Sequence, residues 1–258
     1  MNSIVDVDFV PDMENAATSA EVEALDRLWI RASIADGHCV FGQDQLDEAA
    51  LPTHRRSAEV ARRALDIVVS ITMLVLLLPL MVVLAIAVKF SSPGAALFAQ
   101  LRPGKDGQEF RMLKFRSMVD GADRTVAADE ATRRTFEQSD FKLDGDDPRI
   151  TGLGRFLRRT SLDELPQLIN VLKGDMSIVG IRPLLPRQLE QRPAEDQMLF
   201  KLMRPGMTGL WQVEGRSDIG GDERVALDRR YVEQWSLVSD IKILARTPLA
   251  VISSSGAH

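Results

Sequence analysis

Residues 64–88 read ALDIVVSITMLVLLLPLMVVLAIAV, an apolar run interrupted only by Asp66, Ser70, Thr72 and Pro79. At a helical rise of about 1.5 Å per residue, such a run matches the roughly 30 Å hydrocarbon core of a bilayer. It begins too far from Met1 for an ordinary signal peptide. Basic residues flank it on both sides: Arg55, Arg56, Arg62 and Arg63 before it, Lys89, Arg102, Lys105, Arg111, Lys114 and Arg116 after it. Basic flanks favour the cytoplasm, and a straight span would export one of the two clusters. Proline removes a helix hydrogen bond and kinks the chain. A helix broken at Pro79 therefore enters and leaves the membrane by one face. Flanks and proline alone leave a straight anchor and a re-entrant helix equally open.

Around this helix the chain divides into three stretches. Residues 1–57 form an acidic tail of low order, with helical spacing over Ala20–Ile34. Residues 58–90 are the membrane helix, and 91–258 form a globular domain. Residues 1–50 hold eleven acids and two bases, net -9, so the remainder carries +4 of the chain's -5. A basic body fits an anionic partner such as phosphate or lipid head groups. No nucleic-acid-binding motif accompanies it, and aromatics are sparse. Cys39 is the only cysteine, so no intrachain disulfide can form. His38, His54 and His258 lack metal-ligand spacing.

The 91–258 region reads as α+β: a small, mainly helical domain with short strands and amphipathic surface helices. Phe98–Met118 predicts two strands around a polar turn at Gly104–Gly107. Asp146–Arg159 is a basic approach to a helix near Leu162–Leu172, ended by Gly174. Gly180–Pro186 and Arg204–Gly209 are turn-rich, and Val225–Trp235 is helical. Asp240–Ile252 is apolar enough to lie on a membrane surface or to pack on the core.

The densest chemical signal is Arg158-Arg159-Thr160-Ser161-Leu162-Asp163-Glu164-Leu165-Pro166. Ser161 followed by Glu164 makes a capping box, although Pro166 makes the first turn irregular and starts the main helix near itself. The alternative is a site. A carboxylate near a helix N-terminus stays ionised and can act as a nucleophile, with Arg158 and Arg159 supplying charge for phosphate. The Asp163–Glu164 pair could also hold Mg²⁺, which usually binds one or two carboxylates plus substrate phosphates. Lys114 and Arg116 point the same way if their segment is extended, and Ile181-Arg182-Pro183 places an arginine in a turn.

These residues resemble the bacterial sugar transferases, the monotopic polyprenyl-phosphate sugar-1-phosphate transferases that start exopolysaccharide and glycan assembly. The resemblance covers about residues 58–250. It is carried by Arg62–Asp66, Lys114–Met118, Asp147–Thr151, Thr160–Asn170, Leu172–Gly180, Arg204-Pro205-Gly206, Thr208–Val213 and Gly215-Arg216. It implies transfer of a sugar-1-phosphate from a UDP-sugar to undecaprenyl phosphate through a covalent intermediate on Asp163, with release of UMP. It further implies Mg²⁺ at Asp163 and Glu164, and phosphate or nucleotide contacts from Lys114, Arg116, Arg158, Arg182 and Gln212. A re-entrant helix broken at Pro79 would hold the catalytic domain on the cytoplasmic face of the bacterial inner membrane, in contact with lipid. The sugar is not legible, and a homo-oligomer is left open. Two positions depart from the family pattern: Leu78 replaces a serine before the proline, and Ile181 replaces the first proline of Pro-Arg-Pro. The competing readings are a glycosyltransferase using Asp144-Gly145-Asp146, which would release UDP, and a non-enzymatic membrane scaffold.

Overall fold

The computed structural model describes residues 53–119, 121–122, 147, 149–214 and 220–253, together with two short strands at 34–35 and 38–39. The expectations for the rest of the acidic tail, for Asp144–Asp146 and for Gly215-Arg216 lie outside the described residues. The chain separates into two units, Met1–His54 and Arg55–His258. The first contains β1 (Ile34–Ala35) and β2 (His38–Cys39), paired antiparallel.

The second unit opens with the apolar run, now part of a longer helix, α1 (Thr53–Ser91). Its assigned helix continues through Pro79. It is long and apolar enough to cross a membrane, and only 11% of its most apolar window is buried. Side chains such as Val68, Val75, Leu76, Val83 and Ile86 face outward, an apolar area that a soluble protein rarely leaves uncovered. The residues that α1 does bury recur at helical spacing: Arg62, Asp66 and Ser70 toward one end, Leu84 and Val88 toward the other.

The predicted hairpin follows. β3 (Leu97–Pro103) pairs antiparallel with β4 (Glu109–Phe115), with Phe98 opposite Lys114 and Arg102 opposite Phe110. A single 3₁₀ turn at Lys105–Gly107 joins them.

The stretch before the acidic pair is not a mere approach but a helix, α2 (Gly152–Arg159). Thr151 caps it, its Oγ1 accepting from the Gly154 N–H at 2.9 Å. Gly154 has to be glycine: a Cβ there would sit 1.9 Å from the Ser117 carbonyl oxygen. The helix expected over Leu162–Leu172 splits into a 3₁₀ turn at Leu162–Glu164 and α3 (Gln167–Lys173), which begins after Pro166. Gly174 ends it at φ 93°.

β5 (Ser177–Val179) and β6 (Gly206–Thr208) lie side by side in parallel, where the sequence had predicted turns at Arg204–Gly209. The strand is short, and its glycine hides it from β-propensity. That glycine permits the approach: a Cβ on Gly206 would fall 2.1 Å from the Gly180 nitrogen. Between and after these strands come α4 (Pro186–Glu190), α5 (Ala194–Leu202), α6 (Leu210–Glu214), α7 (Gly221–Glu233) and α8 (Leu237–Ser253).

Two apolar clusters result. The larger joins Phe110, Met112, Leu168, Val171, Met176 and Ile243. The smaller joins Leu84 and Val88 of α1 to Phe115 and Leu157, with Leu162 and Leu165 packed against it. In α8, Ile243 is core while Val238, Ile241 and Leu249 remain exposed.

Candidate active site

The Asp163–Glu164 turn is positioned by its neighbours in sequence. Leu162 and Leu165 are drawn into the cluster around Leu84 and Val88, which seats the turn against the second half of α1. The capping-box expectation fails. Ser161 is left-handed at φ 56° and makes no side-chain cap bond, because the turn of 3₁₀ helix and Pro166 leave no regular first turn to cap. Glu164 instead accepts from Lys114, Nζ to Oε1 at 2.8 Å.

The two carboxylates differ in surroundings. Asp163 is buried, 6% exposed, and among the described residues it forms no salt bridge. Burial is the dominant influence and holds its carboxyl above the usual carboxylate range, with Glu164 adding to the effect and Lys114 and Arg158 opposing it. For Glu164 burial also acts upward, but Lys114, Arg182 and Arg102 together prevail and hold it below its ordinary value. One acid is thus shielded and, among the described residues, without an ion pair, and the other is clamped by Lys114.

Arg158 comes from the last turn of α2. Its Nε donates to Ser117 Oγ at 2.8 Å, and burial lowers its affinity for a proton against the attraction of Asp163 and Asp147. Behind it lies a buried Asp147–Arg149 ion pair at 2.7 Å. Arg182, in the turn after β5, lies exposed with its guanidinium 5.5 Å from the centre of the Trp211 ring. Ile181, where the family pattern has proline, is buried. Its carbonyl accepts from Gly206 N–H at 2.8 Å, so backbone pairing with the β6 segment fixes the turn.

Lys114, Arg158, Arg182, Asp163 and Glu164 are therefore brought together. Arg116 is not. β4 ends at Phe115, and Arg116 turns away to the carbonyls of Val88 (3.1 Å) and Ser92 (2.6 Å), at the C-terminus of α1. Gln212 lies on α6 beside Trp211 and donates to Met207 O at 3.3 Å, and Pro79 lies within α1. One site residue escaped the sequence reading. Arg102 on β3 lies within electrostatic reach of Glu164 and Arg182. Its place in the hairpin, two residues after Gln100 on the same face as Lys114, was the available signal.

A divalent cation would meet Asp163 and Glu164 as adjacent oxygen donors, a set suited to Mg²⁺ when phosphates complete the shell. Among the described residues no group of three His, Cys, Asp or Glu side chains converges.

The profile of the bacterial sugar transferases matches residues 57–254. An undecaprenyl-phosphate galactose phosphotransferase of Salmonella typhimurium is 45% identical over 207 residues, 79% of this chain and 43% of its own length. The exopolysaccharide production protein ExoY of Sinorhizobium fredii is 40% identical over 77% of this chain and 88% of its own length. A UDP-glucose:undecaprenyl-phosphate glucose-1-phosphate transferase of Caulobacter vibrioides is 39% identical over 80% and 75%. The chain thus spans under half the length of the Salmonella protein, but most of ExoY. With a match that takes in α1, both apolar clusters and the acidic turn, the chain belongs to the bacterial sugar transferase family.

Proposed function

We propose that this chain transfers a sugar-1-phosphate from a UDP-sugar to undecaprenyl phosphate, the first step of an exopolysaccharide or related glycan. The observation that carries this reading is the Asp163 carboxylate: buried, without an ion pair among the described residues, and set among Lys114, Arg158 and Glu164. A structural carboxylate would be tied by partners, whereas a nucleophile keeps its lone pairs for the substrate. An Asp163 oxygen attacks the sugar-bearing phosphorus, the bond to the bridging oxygen breaks, and UMP leaves with that oxygen. A lipid phosphate oxygen then attacks the same phosphorus and displaces the carboxylate, restoring Asp163. Lys114 and Arg158 offset charge on the transferring phosphoryl group. A Mg²⁺ held by Asp163 and Glu164 would add positive charge at the phosphate oxygens.

Membrane topology belongs to the same proposal. Arg62 near one end of α1 and Val88 near the other are both buried against the Arg55–His258 unit. A straight span would place one of these ends across the bilayer from its docking site. Re-entrance through a bend at Pro79 keeps both on the cytoplasmic face of the inner membrane and the acidic turn at head-group depth.

The test is a turnover assay with purified protein, Mg²⁺ and UDP-galactose, UDP-glucose or N-acetylated UDP-sugars, without acceptor. Stoichiometric UMP release, lost in Asp163→Asn, is expected. Release of UDP instead, or no release with any donor, would refute the assignment.

A further inference from the structure

The cations around the acidic turn fall into two groups. Arg158 acts on Asp163 from α2, the helix whose Leu157 packs on Leu84 and Val88 of α1. Arg102 and Arg182 act on Glu164 instead. They come from β3 and from the turn after β5, and Trp211 lies beneath Arg182. Lys114 stands between, influencing both acids.

The second group has more positive charge than the protein balances. Arg102 donates to Gln100 Oε1 at 2.7 Å and to Pro183 O at 3.3 Å, both neutral acceptors. Its Nε is enclosed and has no hydrogen-bond partner among the described residues. Neither Arg102 nor Arg182 forms a salt bridge among those residues. Glu164, the one carboxylate acting on both, is already bound to Lys114. Asp228 also faces Arg182, but burial pushes its carboxyl up to about 8, so near neutrality it is largely protonated. Burial, with Arg182 adding to it, pulls Arg102 down to about 10. Two guanidiniums with a donor left over and no ion pair among the described residues make a site suited to an anion.

We infer that Arg102 is a second phosphate-binding arginine, acting with Arg182 on the phosphate of the departing nucleoside monophosphate. The inference rests on the proposed phosphate transfer. It divides the labour: Arg158, beside the membrane helix, faces the acceptor phosphate, and the Arg102–Arg182 pair holds the phosphate that leaves with the nucleoside. Binding there favours the first half-reaction by neutralising charge on the leaving group, and it makes UMP a product inhibitor that competes with the donor.

The experiment uses the full chain in detergent or nanodiscs, with UMP as the probe. Wild type, Arg102→Gln and Arg102→Lys are compared for UMP Kd, for isotope exchange between UMP and UDP-sugar without acceptor, for acceptor kcat/KM and for melting temperature. Arg102→Gln is expected to weaken UMP by about 10- to 100-fold, the cost of a charged hydrogen bond, and to slow exchange while leaving acceptor kcat/KM unchanged. Arg102→Lys, which keeps the charge but loses the fork, is expected to fall between. A merely structural Arg102 would lower the melting temperature and leave UMP affinity unmoved. Unchanged UMP Kd in a folded Arg102→Gln overturns the inference, and if that variant does not fold, unchanged Kd in Arg102→Lys does so. Wild type that neither binds UMP nor exchanges it would sink the transfer reaction itself, whereas exchange indifferent to Arg102 sinks only this assignment.

Discussion

Two polar clusters lie within the Arg55–His258 unit, and they are built on opposite terms. One anchors α1. Arg62 donates to Ser177 Oγ at 3.1 Å and to the Val179 carbonyl, and it lies 3.3 Å from Asp240. Asp66 accepts from Ser177 Oγ at 2.9 Å and from the Ile178 N–H at 2.8 Å. Tyr231 and Trp235 complete Asp240, at 2.7 and 3.0 Å. None of these side chains has an orphaned buried atom. The other cluster surrounds Asp163 and Glu164. There, among the described residues, Asp163 has no ion pair and Arg102 keeps an enclosed nitrogen without a partner. A closed network specifies structure, because every polar group is compensated internally. An open one leaves capacity for a substrate, at a cost to the protein where its groups are buried.

The sharpest way to break this contrast is to remove Asp163. Asp163→Asn is expected to cut transfer by about 10³-fold or more, as loss of a nucleophile does elsewhere. Its melting temperature should be equal or higher, since a buried carboxylate without an ion pair is exchanged for a neutral group. A variant that unfolds readily would place Asp163 in the structural class.

Arg62→Ala should behave in the reverse way. It leaves Asp240 and Ser177 short of a partner in the interior, a loss of about 3–5 kcal/mol by the usual measure of a broken buried pair. Chemical denaturation in detergent should register it. Stability within about 1 kcal/mol of wild type would mean that the anchor is not what its hydrogen bonds imply.

Gly154→Ala joins the two regimes. The new methyl collides with the Ser117 carbonyl at the helix that carries Arg158. A loss of about 1–3 kcal/mol is expected from overpacking, with reduced transfer as Arg158 and Ser117 move apart. Measured together, a melting curve and acceptor KM separate the two effects.

A pH-dependent effect concerns Asp228. Burial raises its carboxyl to about 8, with Arg182 and Arg192 opposing. Between the unfolded value near 4 and the folded value, the native state binds the extra proton, so stability falls as pH rises across that window. Asp228→Asn should flatten this slope, melting higher than wild type at pH 8 and about level with it near pH 4. A wild-type melting temperature that rises from pH 5 to 8 while the variant's does not would contradict the sign.

The comparison also shows where sequence reading stops. The hairpin at Leu97–Phe115 and the Gly174 stop were legible because alternation, turn residues and a left-handed glycine are local signals. β6 was not, because a three-residue strand gains its identity only from β5 beside it. Arg62 and Arg63 read in the sequence as a basic flank of the apolar helix and as part of the family pattern. In the fold Arg62 is buried, and Arg63 donates to the carbonyls of Val171 (2.6 Å) and Leu172 (2.8 Å) near the end of α3. Lys114 and Arg116 looked equivalent by alternation, and the end of β4 sends them to different partners.

What the sequence determined by itself was the apolar helix, the basic and acidic blocks and, through their order, the family. Those depend on composition and spacing, which survive without coordinates. What only the tertiary structure decided was the standing of each charge. Whether an arginine is compensated, and whether an aspartate is shielded or paired, depends on groups distant in sequence, such as Glu164 from Lys114 and Asp240 from Arg62. Burial and partner together set a charge's energy, and neither exists until the chain has folded.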